Sequence, residues 1–201
     1  MSGAFPTSPS ATDLTITSYQ ETITVKAING RRQSRQIGGQ YWKIRAKYNN
    51  LTRAEFAPIE AFLMSQRGSY DSFTFTPPVL SIPQGSDPGT PLVNGASQTG
   101  RSVVTDGWGT GSAQTVLKAG DFIKFTNHSK VYQITADATC DTSGNATLTI
   151  EPELQTSPGN NEAIVTNPVP FTVFNEGKVI EMSTGVNDVF SFTVNFCEAI
   201  S

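Results

Sequence analysis

Apolar and polar residues alternate with period two along most of this 201-residue chain, which predicts a mainly β protein. In DLTITSYQ, Leu14 and Ile16 share a face, and in ETITVKAIN, Ile23, Val25 and Ala27 do. Asn29-Gly30 then offers the positive-φ pair that suits a tight reversal. QYWKIRAKY is the clearest strand. Trp42, Ile44, Ala46 and Tyr48 face one way and Lys43, Arg45 and Lys47 the other, so one face is buried and three cations line its reverse.

One stretch breaks the period. In LTRAEFAPIEAFLMSQRG, Phe56, Ile59, Phe62 and Leu63 recur at helical spacing, which predicts a single helix over about 52–67. Thr52 is placed as N-cap and Glu55 completes a capping box, while Leu51 and Phe56 are spaced as a hydrophobic staple. Gly68 is expected at C′, with Arg67 in the last turn facing the negative end of the helix dipole. Pro58 either kinks the helix or marks where its regular part begins. The helix is expected to lie as a lid on a sheet, its stripe against aromatic strand positions.

Period two resumes in SYDSFTFTPP, with Phe73 and Phe75 together. Residues 79–113 are rich in Gly, Pro, Ser and Asn, with short strands around Leu92-Val93 and Val103-Val104. A strand-rich block follows: TVLKAGDFIKF, KVYQITAD, a turn at Asp141–Asn145, and ATLTIEPEL. Short strands with frequent turns suggest a small barrel or sandwich. From about 168 the aromatic style returns, with Phe171 and Val173, Val179 after an Asn-Glu-Gly turn, and a final strand whose Phe190, Phe192, Val194 and Phe196 line one face. This order implies a β-sandwich core made from 1–78 and 168–201, covered by the helix, with 79–167 inserted as a small β-barrel or sandwich module.

Charge sharpens the picture. The net charge is −3, but residues 26–53 hold eight of the fourteen basic residues and no carboxylate. The remainder carries six basic and seventeen acidic residues, a net of −11. This basic stretch is either a solvated strand face or a surface that docks an acidic partner, another copy of the chain included. Stacking aromatics are limited to Tyr41, Trp42 and Tyr48, which argues against nucleic-acid recognition. No apolar run nears the roughly 20 residues that cross a bilayer. The N-terminus lacks a basic start and apolar block, so synthesis in the cytoplasm is expected.

Chemistry is hard to assign. The lone histidine, His128, sits in a polar turn and reads as solvent-exposed. Cys140 and Cys197 fit no paired spacing and read as reduced, half-buried thiols. GWGTG lacks the lysine and helix of a phosphate loop. DTSGN lacks the closing glutamate of a calcium loop and reads as a turn. No catalytic residue, metal ligand or cofactor is assigned, and an enzyme is not expected. A polysaccharide-degrading enzyme would need an acid–base pair that the sequence does not single out.

The run YWKIRAKYNNLTRAEFAPIEAFLMSQRGSYDSFTFTPP resembles the core of distal tail proteins and related tail-tip components of tailed bacteriophages. VFSFTVNFCEAI is similar to their closing strand, an aromatic alternation followed by an acidic residue. LKAGDFIKFTNHSKVYQITADATCDTSGNATLTIEPEL resembles a small β module of phage tail proteins with a "KAGD"-like turn. The resemblance implies a virion structural protein: a distal tail adaptor ring, commonly a hexamer, joining tail tube to the tail-tip or baseplate hub. Arg31, Arg32, Arg35, Lys43, Arg45 and Lys47 would then face a neighbouring subunit or the tube. The alternative is a carbohydrate-binding module that contacts the host surface, with Trp108 and Tyr132 as stacking aromatics.

Overall fold

The computed structural model describes residues 3–86, 89–177 and 189–200. Its elements are β1 Asp13–Tyr19, β2 Thr22–Lys26, β3 Arg32–Gln36, β4 Tyr41–Leu51, α1 Arg53–Ser65, β5 Ser72–Phe75, β6 Leu92–Val93, β7 Ser102–Asp106, β8 Gln114–Leu117, β9 Phe122–Phe125, β10 Val131–Ile134, β11 Ala138–Cys140, β12 Ala146–Glu151, β13 Ile164–Val165, β14 Phe171–Asn175 and β15 Phe190–Glu198. The protein is mainly β with one helix, as the alternation predicts. It divides into two compact units. One takes Ser72–Val173 with the two chain ends, up to Ser10 and from Ala199; the other takes Ala11–Asp71 and Phe174–Glu198.

In the second unit β4 is central, antiparallel to β1 on one side and to β15 on the other. Trp42, Ile44, Ala46, Tyr48 and Leu51 are buried along β4, while Arg45 and Lys47 are exposed. β15 alternates in step, with Val194 and Phe196 buried and Ser191, Thr193 and Asn195 exposed. The carboxylate of buried Glu198 accepts the Trp42 backbone N–H, so the acidic residue after the aromatic strand pins the start of β4.

α1 opens as its capping sequence dictates. Glu55 accepts both the Thr52 backbone N–H (2.9 Å) and the Thr52 hydroxyl (2.8 Å), which holds its carboxyl below the usual range. The helix runs through Pro58 without ending. Phe56, Ile59 and Leu63 are buried, and Phe56 stacks on Phe190 (4.7 Å) and meets Phe192 edge-on (5.2 Å). The expected partner of the stripe is thus supplied by the last strand. The helix ends one residue earlier than expected. Gln66 is the C-cap, and Arg67 takes a left-handed φ of 56° ahead of Gly68. Arg67 therefore leaves the last turn; it pairs with Asp71 and lies over Tyr70 instead.

In the first unit six strands run in the order β13-β9-β10-β12-β7-β6. The sheet nearly closes into a barrel. Val93 donates its N–H to Glu162 and accepts that of Asn161, and Ile164 donates to Pro91, so the strand at one edge bonds the approach to the other. Val93, Val103, Trp108, Leu117, Ile123, Phe125, Tyr132, Leu148 and Ile150 fill the interior. The KAGD turn has a visible physical reason. The buried Asp121 carboxylate accepts the backbone N–H of Lys118 (2.8 Å) and of Gln84 (3.0 Å), tying the Gly/Pro-rich lead-in to the barrel. Phe5 packs on Phe73 and Phe75, a contact the sequence did not announce. Val179 lies outside the described residues.

Candidate assembly interface

The basic stretch splits into two surfaces. Arg31, Arg32 and Arg35 lie on the ribbon formed by β2 and β3, a two-stranded sheet of its own. Every residue of both strands is exposed. Directly opposed residues share a face. One face therefore carries Ile23 and Val25 with Arg35 and Gln33, and the other carries Thr22, Thr24 and Lys26 with Gln36, Ser34 and Arg32. Arg32 donates to Ser34 Oγ (2.9 Å) and Thr24 Oγ1 (3.4 Å), which stiffens the hydroxyl face. The ribbon turns through residues 27–31, where Ala27 donates to the Arg31 carbonyl and Gly30 alone takes a positive φ, of 81°. Asn29 does not; its side chain accepts the Arg31 N–H.

Ile23, Val25 and Ala27 share a face by their alternation, and the structure leaves that face open: Ile23 is 55% and Val25 59% exposed, and Ile28 at the tip is fully exposed. The physical reason lies in the partner strand, RQSRQ, which brings no apolar residue to share a core. That absence was legible and is the signal that marks these residues as surface.

Lys43, Arg45 and Lys47 occupy the outward face of β4. In register, Lys43 lies between Thr17 and Cys197, Arg45 between Thr15 and Asn195, and Lys47 between Asp13 and Thr193. The Lys43 ammonium donates to the Glu176 carboxylate, which raises its pKa, and it sits 4.7 Å from the centre of the Tyr19 ring. Tyr19 stacks on Tyr41 at 5.5 Å. Tyr41 lies two residues before Lys43 on β4; Tyr19 and Glu176 were not singled out by sequence, because only pairing across β1 and the chain after β14 brings them to Lys43.

The remaining candidates fall elsewhere. Trp108 and Tyr132 are fully buried and stack on no open surface. Trp108 Nε1–H donates to Thr105 Oγ1 (2.7 Å), and the Tyr132 hydroxyl accepts the Gln155 N–H (3.3 Å). His128 is not a solvated turn residue. Its side chain is only 11% exposed, edge-on to Phe125, with Nε2 3.9 Å from Glu162. Asp141 spends its carboxylate on its own turn, accepting from Ser143, Asn145 N–H and the Asn145 amide, which lowers its pKa through Asn145 first. Among the described residues no group of three or more His, Cys, Asp or Glu is placed to hold a metal ion. Cys140 and Cys197 are free thiols, Cys140 buried and Cys197 partly so. Burial pushes the Cys197 thiol up.

A nearly closed barrel joined in sequence to a helix-covered sheet, with an exposed basic ribbon, defines a mainly β protein of two units. Known proteins fill in that class. Residues 81–169 match the family model described as distal tail protein pb9, B domain. Over 144 residues the chain is 28% identical to distal tail protein pb9 of Escherichia phage T5, covering 71% of this chain and 68% of that protein. The resemblance to bacteriophage distal tail structural proteins is thus found both in the barrel and along most of the chain.

Proposed function

We propose that this chain is a structural protein of a phage tail, a distal tail ring that joins the tail tube to the tail-tip or baseplate hub and performs no catalysis. Copies of the chain associate as a closed ring, a hexamer, in the virion after synthesis in the host cytoplasm. In this reading residues 79–167 are a β module inserted into a core formed by 1–78 and 168–201. The matches to distal tail proteins support the tail role.

The ribbon of β2 and β3 carries the self-assembly half of the proposal. A lone two-stranded hairpin is marginal in water. This one nevertheless presents Ile23 and Val25 to solvent on the face that carries Arg35, with Ile28 and Arg31 in the turn and Lys26 and Arg32 on the reverse face. Soluble surfaces seldom leave such an apolar strip bare unless something covers it. The remainder of the chain outside 26–53 has a net charge of −11, so another copy offers the opposite sign. A ring needs two different patches that meet around an axis, which a basic ribbon and an acidic body provide.

Sedimentation velocity of the purified chain, with imaging of purified particles, tests this. The expected result is a discrete oligomer that Ile23→Ser with Val25→Ser weakens by about tenfold while monomer circular dichroism is unchanged. A monomer at high concentration, with no ring of this chain in the particle, would overturn the proposal.

A further inference from the structure

The outward face of β4 holds a notch of about 310 Å³ between β1 and β15. Half of it is internally satisfied, since Glu176 and the Tyr19 ring hold the Lys43 ammonium. The other half is not. Arg45 lies two residues along the same strand, about 7 Å away at strand spacing. Among the described residues it makes no ion pair and no side-chain hydrogen bond, and neither cross-strand neighbour, Thr15 or Asn195, is acidic. Lys47 differs again, with Asp13 directly opposite. Arg45 is therefore the member of the cation row that has neither an ion pair, as Lys43 has with Glu176, nor an acid directly opposite, as Lys47 has in Asp13.

Its surroundings suit an incoming carboxylate. A guanidinium presents a planar fork that matches two carboxylate oxygens. The Thr15 hydroxyl and the Asn195 amide flank it and bring further donors. Glu176 on Lys43 already shows a carboxylate seated in the same notch.

We propose that Arg45 receives an Asp or Glu side chain from a neighbouring copy of this chain, so that the notch is completed only on assembly. The choice of a second copy follows from charge, since the chain itself supplies the acidic surface outside 26–53. This rests on the ring reading and names a contact within it that is separate from the ribbon.

The test is sedimentation velocity across a salt series on wild type, Arg45→Glu, Arg45→Lys and the Ile23→Ser/Val25→Ser pair, with monomer circular dichroism as the folding control. Arg45→Glu is expected to weaken association about 5- to 10-fold at low salt and Arg45→Lys about 2- to 3-fold, the values of an exposed charge contact and its reversal. The differences should shrink at high salt, where charges more than a few ångströms apart are screened. In the Arg45→Glu background, reversing exposed acids to Lys one at a time should reveal one position that restores association. If Arg45→Glu associates like wild type while the ribbon pair does not, the ring stands and the notch contact falls. If Arg45→Glu self-associates normally but no longer joins tail tubes, the carboxylate comes from another protein and the proposal is overturned. If the wild type itself never associates, the ring reading fails first.

Discussion

The Glu198 carboxylate accepts the Trp42 backbone N–H at 3.1 Å, joining residues 156 positions apart. It fastens the end of β15 to the start of β4 beneath a buried surface. A buried N–H left without an acceptor costs about 1–3 kcal/mol. Glu198→Ala should therefore lower the urea unfolding free energy by about that amount, and Glu198→Gln, which keeps an acceptor oxygen, by less. Equal losses in the two variants would show that the hydrogen bond to Trp42 is not what holds the strand end.

The helix start should respond to acid. Glu55 has its pKa lowered from an ordinary 4.5 by the Thr52 N–H and hydroxyl, so folding favours its ionised form. Its stabilisation is complete above the ordinary value and is lost as pH falls through the lowered one. Stability against pH should flatten in that acid window in Glu55→Gln, measured by urea melts from neutral pH downward.

Tyr48 responds at the other extreme. It is 2% exposed and stacks on Phe192 at 4.9 Å, and burial pushes its phenol from 10.0 up to about 12. A raised pKa on an acid means the neutral form is favoured in the fold. Its contribution is whole below pH 10 and disappears as pH climbs toward about 12. Tyr48→Phe should remove that alkaline loss, and the wild-type tyrosinate absorbance should show one phenol ionising late. A phenol that titrates near 10 in the folded protein would contradict the packing.

Two glycines separate backbone freedom from close approach. Gly30 has φ of 81° with nothing within 4 Å of an added Cβ, whereas a Cβ on Gly107, at φ 78°, would lie 2.5 Å from the Thr90 carbonyl oxygen. Gly30→Ala should cost about 1 kcal/mol from conformation alone. Gly107→Ala should cost at least about 2 kcal/mol, because backbone must also move. Paired denaturation curves decide it, and equal costs would mean the contact at Thr90 yields freely.

Trp108 tests the barrel interior. Its ring is fully buried, and its N–H donates to Thr105, whose hydroxyl in turn donates to the Ala146 carbonyl. Trp108→Phe removes volume and one member of that chain, an expected loss of about 2 kcal/mol. Hydrogen exchange should show the loss in the strands of the barrel. Unchanged protection there would deny the indole its structural part.

The strands and the helix were legible because each buries one face, and burial of one face writes a period into sequence. β4 and β15 read correctly residue by residue for that reason. In the ribbon Ile23 and Val25 have the same period as a buried strand, and only the polar character of β3 tells the two apart. His128 misled: a polar neighbourhood in sequence became a largely covered position once Phe125 and Glu162 folded over it. The cation row on β4 was visible as alternation, but its internal partner Glu176 is 133 positions from Lys43 and leaves no local trace. Trp108, in a Gly-rich loop, and Tyr132, on a strand, were candidate stacking rings, and the barrel carries both into its interior.

The bare ribbon also bears on timing. Among the described residues its backbone ladder has no third strand and its side chains are all exposed, so on the proposed ring reading its last increment of order would come from association. Amide protection across Thr22–Gln36 should accordingly rise with protein concentration while the barrel's stays constant. A rise in ribbon protection of that kind would mark folding that is completed by a neighbour.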